Sequence, residues 1–352
     1  MRRIRYFDVL RVVCFCFIIF YHMIVILQTN AILTSPYVTG LYSNANLHIA
    51  TLAVAVFFML SGASLMVSGK KEKEFDIKKF YKKRLLRLLV PFYLTYAIFF
   101  AAVKVVGFHM FEPDTPKWRF LFTLFGIDGW MSIYGIDTFY LSIGEWFLGC
   151  IIVLYLLFPL LRWLLIKYKV PFLIAATVVY FIVSLTYDQN SLVPVHESIV
   201  IKGYEFILGM VLGTDWEKIN RKWAGITIPL LLVFLLCPVE IPLNPAVKIT
   251  VIALAFFMTF SFLEPFFKGK NLKVINTFSS YSYDVFLVHH FIMSGFAQVF
   301  ASYAVTPLRI AVLCLAELAV IVVFAVFIHW STDWIMQFIS KKPGFVKRQE
   351  KL

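Results

Sequence analysis

The sequence predicts an all-α integral membrane protein, a bundle of about ten transmembrane helices with its N- and C-terminus on the cytoplasmic side. Three observations predict it. Of the 352 residues, 61% are hydrophobic and 15% charged, against roughly 25% charged in a soluble domain. Apolar stretches of bilayer-spanning length recur from end to end. Lysine and arginine collect at alternate ends of those stretches. Backbone groups in lipid must be satisfied internally, by helices or by a closed barrel. Barrel strands would be about ten residues long with alternating polarity, and these stretches are longer and do not alternate.

The expected spans are 9–29, 46–68, 88–107, 142–161, 170–187, 197–214, 223–239, 246–263, 278–300 and 307–330. The first follows Arg2, Arg3 and Arg5 and runs on to Leu27 with no small-residue cleavage site after it, so it reads as a retained helix rather than a signal peptide. The second stops before the Lys70–Lys73 cluster, and the third starts after Arg87. Arg162 ends the fourth and Lys169 precedes the fifth. The sixth and seventh flank Lys218–Lys222, the eighth and ninth flank Lys268–Lys273, and the tenth leads toward a basic tail. Residues 1–340 read as one transmembrane domain and 341–352 as a cytoplasmic basic tail. The longest connection, from about Phe108 to Leu141, is rich in aromatics such as Trp118, Phe120, Phe125 and Trp130 and suits the membrane interface. The five cysteines (Cys14, Cys16, Cys150, Cys237, Cys314) have neither disulfide nor metal spacing and read as small core residues.

With the N-terminus inside, the inner segments hold 26 of the 33 lysines and arginines, the outer ones six, and Arg11 lies within the first span. This asymmetry sets orientation, and with contact to anionic lipid it accounts for the net charge of +13 without nucleic acid.

An ionisable group in a membrane costs roughly 2.5–3.5 kcal/mol on insertion scales, so each needs a reason. Asp8, Arg11 and His22 are separated by three and eleven residues and share one face of the first helix. That pattern fits an anchor pair with a satisfied core histidine, or the start of a site. His22 lies 17 residues beyond Arg5, His289 16 beyond Lys273, and Glu145 17 before Arg162. At 1.5 Å per residue all three reach about 25 Å from the cytoplasmic edge. They read either as a structural hydrogen-bond cluster or as a general-base arrangement. His290 adjoins His289. Lys202 and Glu205, three apart, read as a self-paired couple, whereas Glu317 has no local partner. Arg84 and Arg87, also three apart, present two guanidinium forks. These suit either anionic lipid or a bidentate phosphate ligand. No Gly-rich phosphate loop, metal-ligand cluster or nucleophile elbow is present in the sequence.

Five motifs stand in order along the chain: Asp8-Val9-Leu10-Arg11 with His22 after ten more residues; Phe57-Phe58-Met59-Leu60-Ser61-Gly62; Lys83-Arg84-Leu85-Leu86-Arg87 with Pro91; Trp146-Phe147-Leu148 with Tyr155 and Pro159; and Ser282-Tyr283-Asp284-Val285-Phe286-Leu287-Val288-His289. In these the chain resembles the membrane-bound acyltransferase family 3, whose members O-acylate sugars and other acceptors from acyl-CoA. The last motif departs from the family's pattern, with Phe286 in place of a tyrosine. Many members also carry a hydrolase-like domain after the last helix, and this sequence stops at Leu352.

The resemblance implies an acyltransferase of the bacterial inner membrane. Its donor would be acyl-CoA, acetyl-CoA first among them, docked at Arg84 and Arg87, and no metal is expected. The acyl group passes to a hydroxyl of a cell-surface glycan, directly or through a separate extracytoplasmic transferase. His22, Arg11, Asp8, His289 and Glu145 are the candidate catalytic residues, with His22 as general base. The competing reading is a proton-coupled transporter or flippase, which intramembrane acids and histidines also suit. Against it, the two halves lack matched Gly/Pro-broken helices.

The orientation is open to a direct check. A reporter fused after Leu352 is expected to behave as cytoplasmic and one inserted near Thr115 as external. A cytoplasmic signal at Thr115 inverts the topology.

Overall fold

The computed structural model describes residues 4–34, 38–69, 75–106, 114–188, 190–215, 221–267, 270–300 and 306–340. The expected basic tail, 341–352, lies outside the described residues. In chain order the α-helices are α1 (Arg5–Thr29), α2 (Ile49–Gly69), α3 (Ile77–Val106), α4 (Phe120–Leu124), α5 (Asp128–Ser132), α6 (Glu145–Lys167), α7 (Lys169–Thr186), α8 (Ile199–Asp215), α9 (Ala224–Leu236), α10 (Pro245–Phe262), α11 (Glu264–Phe267), α12 (Lys273–Phe300) and α13 (Pro307–Ser340). No strand occurs among the described residues; one isolated bridge joins Ser43 to His48.

Each of the ten expected spans falls on one of the longer helices. Among the described residues, seven helices are long and apolar enough to cross a membrane: α1, α2, α3, α6, α7, α10 and α13. The count of ten is therefore not met on those grounds, for different reasons in the other three. α9 has 13 residues, about 20 Å of helix, short of a hydrocarbon core of about 30 Å. α8 has 17 residues and carries Lys202 and Glu205. α12 is long enough at 28 residues but is interrupted by Asn276, a run of serines, Asp284 and two histidines.

Several helices extend beyond their expected spans, α3 and α13 furthest. α3 starts at Ile77, so Arg84 and Arg87 lie inside it rather than ahead of it. α13 runs to Ser340, which brings Asp333 onto the same helix as His329.

α2 lies at the centre and packs against α1, α8 and α10. Its closest neighbour is α8, because small residues let the backbones touch. A methyl group placed on Gly62 would lie 2.1 Å from the carbonyl oxygen of Phe206, one on Gly209 2.0 Å from that of Met59, and one on Gly213 2.4 Å from that of Ala63. The Ser61-Gly62 pair thus has a packing reason at Gly62, while Ser61 faces the interior cavity. Lys202 and Glu205 reinforce the same junction. Their side chains are fully buried, 2.8 Å apart, and Glu205 also accepts the hydroxyl of Thr250 on α10 at 3.3 Å. The self-pairing expected from the sequence is present, extended by that third group. On the outside, α7, α9 and α13 expose large apolar residues such as Ile174, Leu236, Leu315 and Val323, as lipid-facing helices do.

The segment before α6 packs down onto that helix. A methyl group on Gly129 would sit 2.7 Å from the backbone oxygen of Glu145, and one on Gly149 2.5 Å from the Trp130 side chain. Asp128, 2% exposed, accepts the Thr123 hydroxyl at 3.1 Å and the Gly129 amide at 2.9 Å. Burial pushes its carboxyl up to about 6.

The α2–α8 contact makes a stability prediction. Gly209→Ala is expected to lower the melting temperature of the detergent-purified protein by several degrees, since overpacking costs about 1–3 kcal/mol. Gly225→Ala, with nothing within 4 Å of the added methyl, is expected to leave it unchanged or raise it. Equal behaviour of the two variants contradicts the contact.

Candidate active site

A cavity of about 970 Å³ runs through the bundle. Arg84 and Arg87 line one end, and Glu197 and Glu240 the other. His22, Glu145 and His289 also line it, each brought by a different helix: α1, α6 and α12.

Glu145 is the first residue of α6, and its backbone is bent into place. Glu145 has φ 45°, Gly144 72° and Ser142 55°. Glycine adopts such angles freely, whereas they are uncommon for other residues and concentrate where function needs them. The bend aims the carboxylate at two imidazoles. Its Oε1 lies 3.4 Å from His22 Nε2 and 3.4 Å from His289 Nε2. The position at the head of α6 also favours a negative charge. The ring centres of His289 and His290 each stand 5.2 Å from that of His22.

His289 is fully buried, and its Nδ1 lies 2.9 Å from the Phe286 carbonyl oxygen. A carbonyl only accepts, so Nδ1 carries the hydrogen and Nε2 is the nitrogen turned to Glu145. Neither Glu145 Oε1 nor His289 Nε2 has a well-formed hydrogen bond among the described residues. Loose contacts of this kind tighten when substrate arrives. His22 Nε2, His289 Nε2 and Glu145 Oε1 all lie within 4.8 Å of one another. That spacing suits proton exchange and also suits the ligands of a single cation.

The other expected residues divide between cavity and support. Arg11 lines the cavity, and its Nη1 donates to Asp8 Oδ1 at 3.1 Å and to Ser279 Oγ at 2.9 Å. The Ser279 hydroxyl in turn donates to Asp8 Oδ1 at 2.8 Å. Asp8, 4% exposed, thus stands behind Arg11 and ties α1 to α12. Arg84 and Arg87 line the cavity together with Leu88 and Pro91. Nearby, the Tyr283 hydroxyl donates to the Leu88 carbonyl at 2.9 Å and joins α12 to α3. Phe286, in the motif's tyrosine place, packs its ring against Phe147 and His289.

The chain matches the family model of the acyltransferase domain over residues 4–328. The chain belongs to acyltransferase family 3. It is therefore an acyltransferase, and with seven helices fit to cross a bilayer it is a multi-pass membrane protein. No curated protein and no solved structure matches it.

Two parts of this acyltransferase's cavity had no counterpart in the sequence reading. Asp284 Oδ2 lies 2.7 Å from His329 Nδ1, with Asp333 a further 3.7 Å from Nε2. His329 falls inside the last expected span but was not among the ionisable groups singled out there, and Asp333 lies beyond its expected end at 330. At the opposite end stand Tyr21, His48, His196 and Glu197. They come from an unremarkable helix position and two connections, where no spacing rule marks them.

The shared carboxylate can be tested at once. Glu145→Gln keeps the shape but loses the charge that faces both imidazoles. Turnover is expected to fall about a hundredfold or more, the lower worth of a positioned acid–base group, with the elution profile on size exclusion unchanged. Turnover near wild type removes Glu145 from the site.

Proposed function

We propose that this acyltransferase moves an acyl group, acetyl foremost, from cytoplasmic acyl-CoA to a hydroxyl of a cell-surface glycan, and that it does so in the bacterial inner membrane. One observation carries the reading: a single cavity joins a guanidinium-lined end to a polar end with no arginine in its lining, and a His–Glu–His cluster lies between them. The end bearing Arg84 and Arg87 is the one that the basic-residue asymmetry assigns to the cytoplasm.

In this reading Arg84 and Arg87 hold the phosphates of CoA, which guanidinium forks fit bidentately. Arg11, fixed by Asp8 and Ser279, steadies the donor arm. His22 Nε2 faces Glu145, which leaves Nδ1 as the base. It takes the proton of the acceptor hydroxyl while the oxygen attacks the thioester carbonyl. The C–O bond forms, the C–S bond breaks, and the departing CoA sulfur takes the proton back from His22. His289 Nε2, 3.4 Å from Glu145 Oε1, holds that carboxylate in place beside His22. No metal enters these steps, and no separate transferase is required for them.

Purified protein is expected to release CoA from acetyl-CoA when a glycan acceptor is present. A transporter would leave the thioester intact. His22→Ala should cut turnover by roughly two to four orders of magnitude while acetyl-CoA still binds, and a divalent-metal chelator should have no effect. The double change Arg84→Ala with Arg87→Ala should raise KM for acetyl-CoA, less so when both become lysine. Full activity of His22→Ala, or inactivation by the chelator, rules out this mechanism.

A further inference from the structure

The cavity end opposite the arginines is built from groups whose charges are already spent. Lys248 Nζ sits 3.0 Å from Glu240 Oε1. Lys202 is fully buried against Glu205 at 2.8 Å. No arginine lines this end, whereas Arg11, Arg84 and Arg87 line the rest of the cavity. What remains to meet a ligand is Tyr21, His48, His196 and Glu197, with Glu145 further in. An anion placed here would face the Glu145 carboxylate and the ionised fraction of Glu197, with no uncommitted cation among the described lining residues, an arrangement that disfavours it.

The same groups suit hydroxyls. The Thr51 backbone amide points at His48 Nδ1 at 3.4 Å, and the Thr51 hydroxyl lies 3.2 Å away. An amide only donates, so Nδ1 accepts and the ring hydrogen is on Nε2, available to a ligand oxygen. Burial pushes the Glu197 carboxyl up to about 7, so near neutral pH it both donates and accepts, as a vicinal diol requires. Tyr21 is ringed by Tyr42 at 5.2 Å and His48 at 4.9 Å. This makes an aromatic wall for the apolar face of a pyranose. The Tyr21 ring is also 5.0 Å from that of His22, so a sugar lying on it brings a hydroxyl to the base.

We propose that Tyr21, His48, His196 and Glu197 form the acceptor subsite and that it takes an uncharged sugar, rejecting phosphorylated and uronic-acid sugars. This rests on the acyl-transfer reading above for its role, though not for its ligand preference.

The test is saturation-transfer NMR on the full chain in detergent, with methyl β-glucoside, glucuronate and glucose 6-phosphate as probes. Methyl glucoside is expected to receive at least threefold more saturation than either anion. Tyr21→Ala and His48→Ala should abolish that signal while eluting as the wild type on size exclusion. Glu197→Arg should turn the preference toward the two anions. Equal or stronger binding of the anions to wild type, binding of none of the three, or indifference to Tyr21→Ala and His48→Ala overturns the proposal. Acetyl-CoA turnover on the same samples separates the two ideas. Sugar binding without turnover under any acceptor sinks the acyl-transfer reading and leaves the subsite standing, whereas turnover without selective sugar binding does the reverse.

Discussion

Glu145 is tolerable inside an apolar bundle only because two imidazoles stand 3.4 Å from its Oε1. An isolated carboxylate there would be expensive, and so would histidines placed with nothing to face. The cluster therefore demands that α1, α6 and α12 meet at one depth, and much of the architecture serves that demand. The short α5 presses Gly129 onto the backbone of Glu145 itself. The left-handed turn through Gly144 and Glu145 then aims the side chain inward instead of along the helix surface. The Asp8–Arg11–Ser279 bonds pin α1 to α12 at the other end of the cavity. With both ends fixed, His22 and His289 have little freedom to drift from the carboxylate.

A second constraint comes from α2. With no hydrophobic effect to hold helices together in lipid, close backbone contact does more of the work. The Gly62, Gly209 and Gly213 contacts supply it, and the buried Lys202–Glu205–Thr250 group adds α10. These lie beside the cavity rather than in its path. The rigid half of the bundle can thus hold a wall while substrates occupy the other side.

Much of this was legible in the sequence because helix geometry is simple. A rise of 1.5 Å per residue, counted from basic anchors, put His22, Glu145 and His289 at one depth, and they do meet. The Lys202–Glu205 pair followed from three-residue spacing. The positions of the long helices followed from apolar length. What was not legible depends on backbone that leaves the helix or on partners far apart in the chain. The turn that aims Glu145 has no signature beyond one glycine. Asp284 and His329 are 45 residues apart and meet at 2.7 Å, a pairing between α12 and α13 that no spacing along one helix could show. The shortness of α9 was likewise hidden, since apolar composition alone does not reveal where a helix stops. Glu317 stayed unexplained at both levels. It is 1% exposed, and neither carboxylate oxygen has a hydrogen-bond partner among the described residues.

On the proposed reading, the two ends of the cavity differ in a way that would give the reaction a direction. A CoA thioester carries several phosphate charges, and these are welcome where Arg84 and Arg87 are exposed to the cavity. They would be unwelcome beside Glu145 and the neutralised Lys248, so a CoA donor docked the wrong way round would face like charge. A neutral acceptor gains nothing from the guanidiniums and finds its hydrogen-bonding partners at the opposite end. Neither proposed substrate would need to cross the membrane. Each needs only to reach the Glu145 cluster from its own side, and the thioester, being the uncharged tip of its molecule, is the part of the donor best suited to enter an apolar bundle. In the proposed transfer the separation of charge along one cavity would thus do the work that a moving gate does in a transporter, beside a wall fixed by the close contact of α2 on α8.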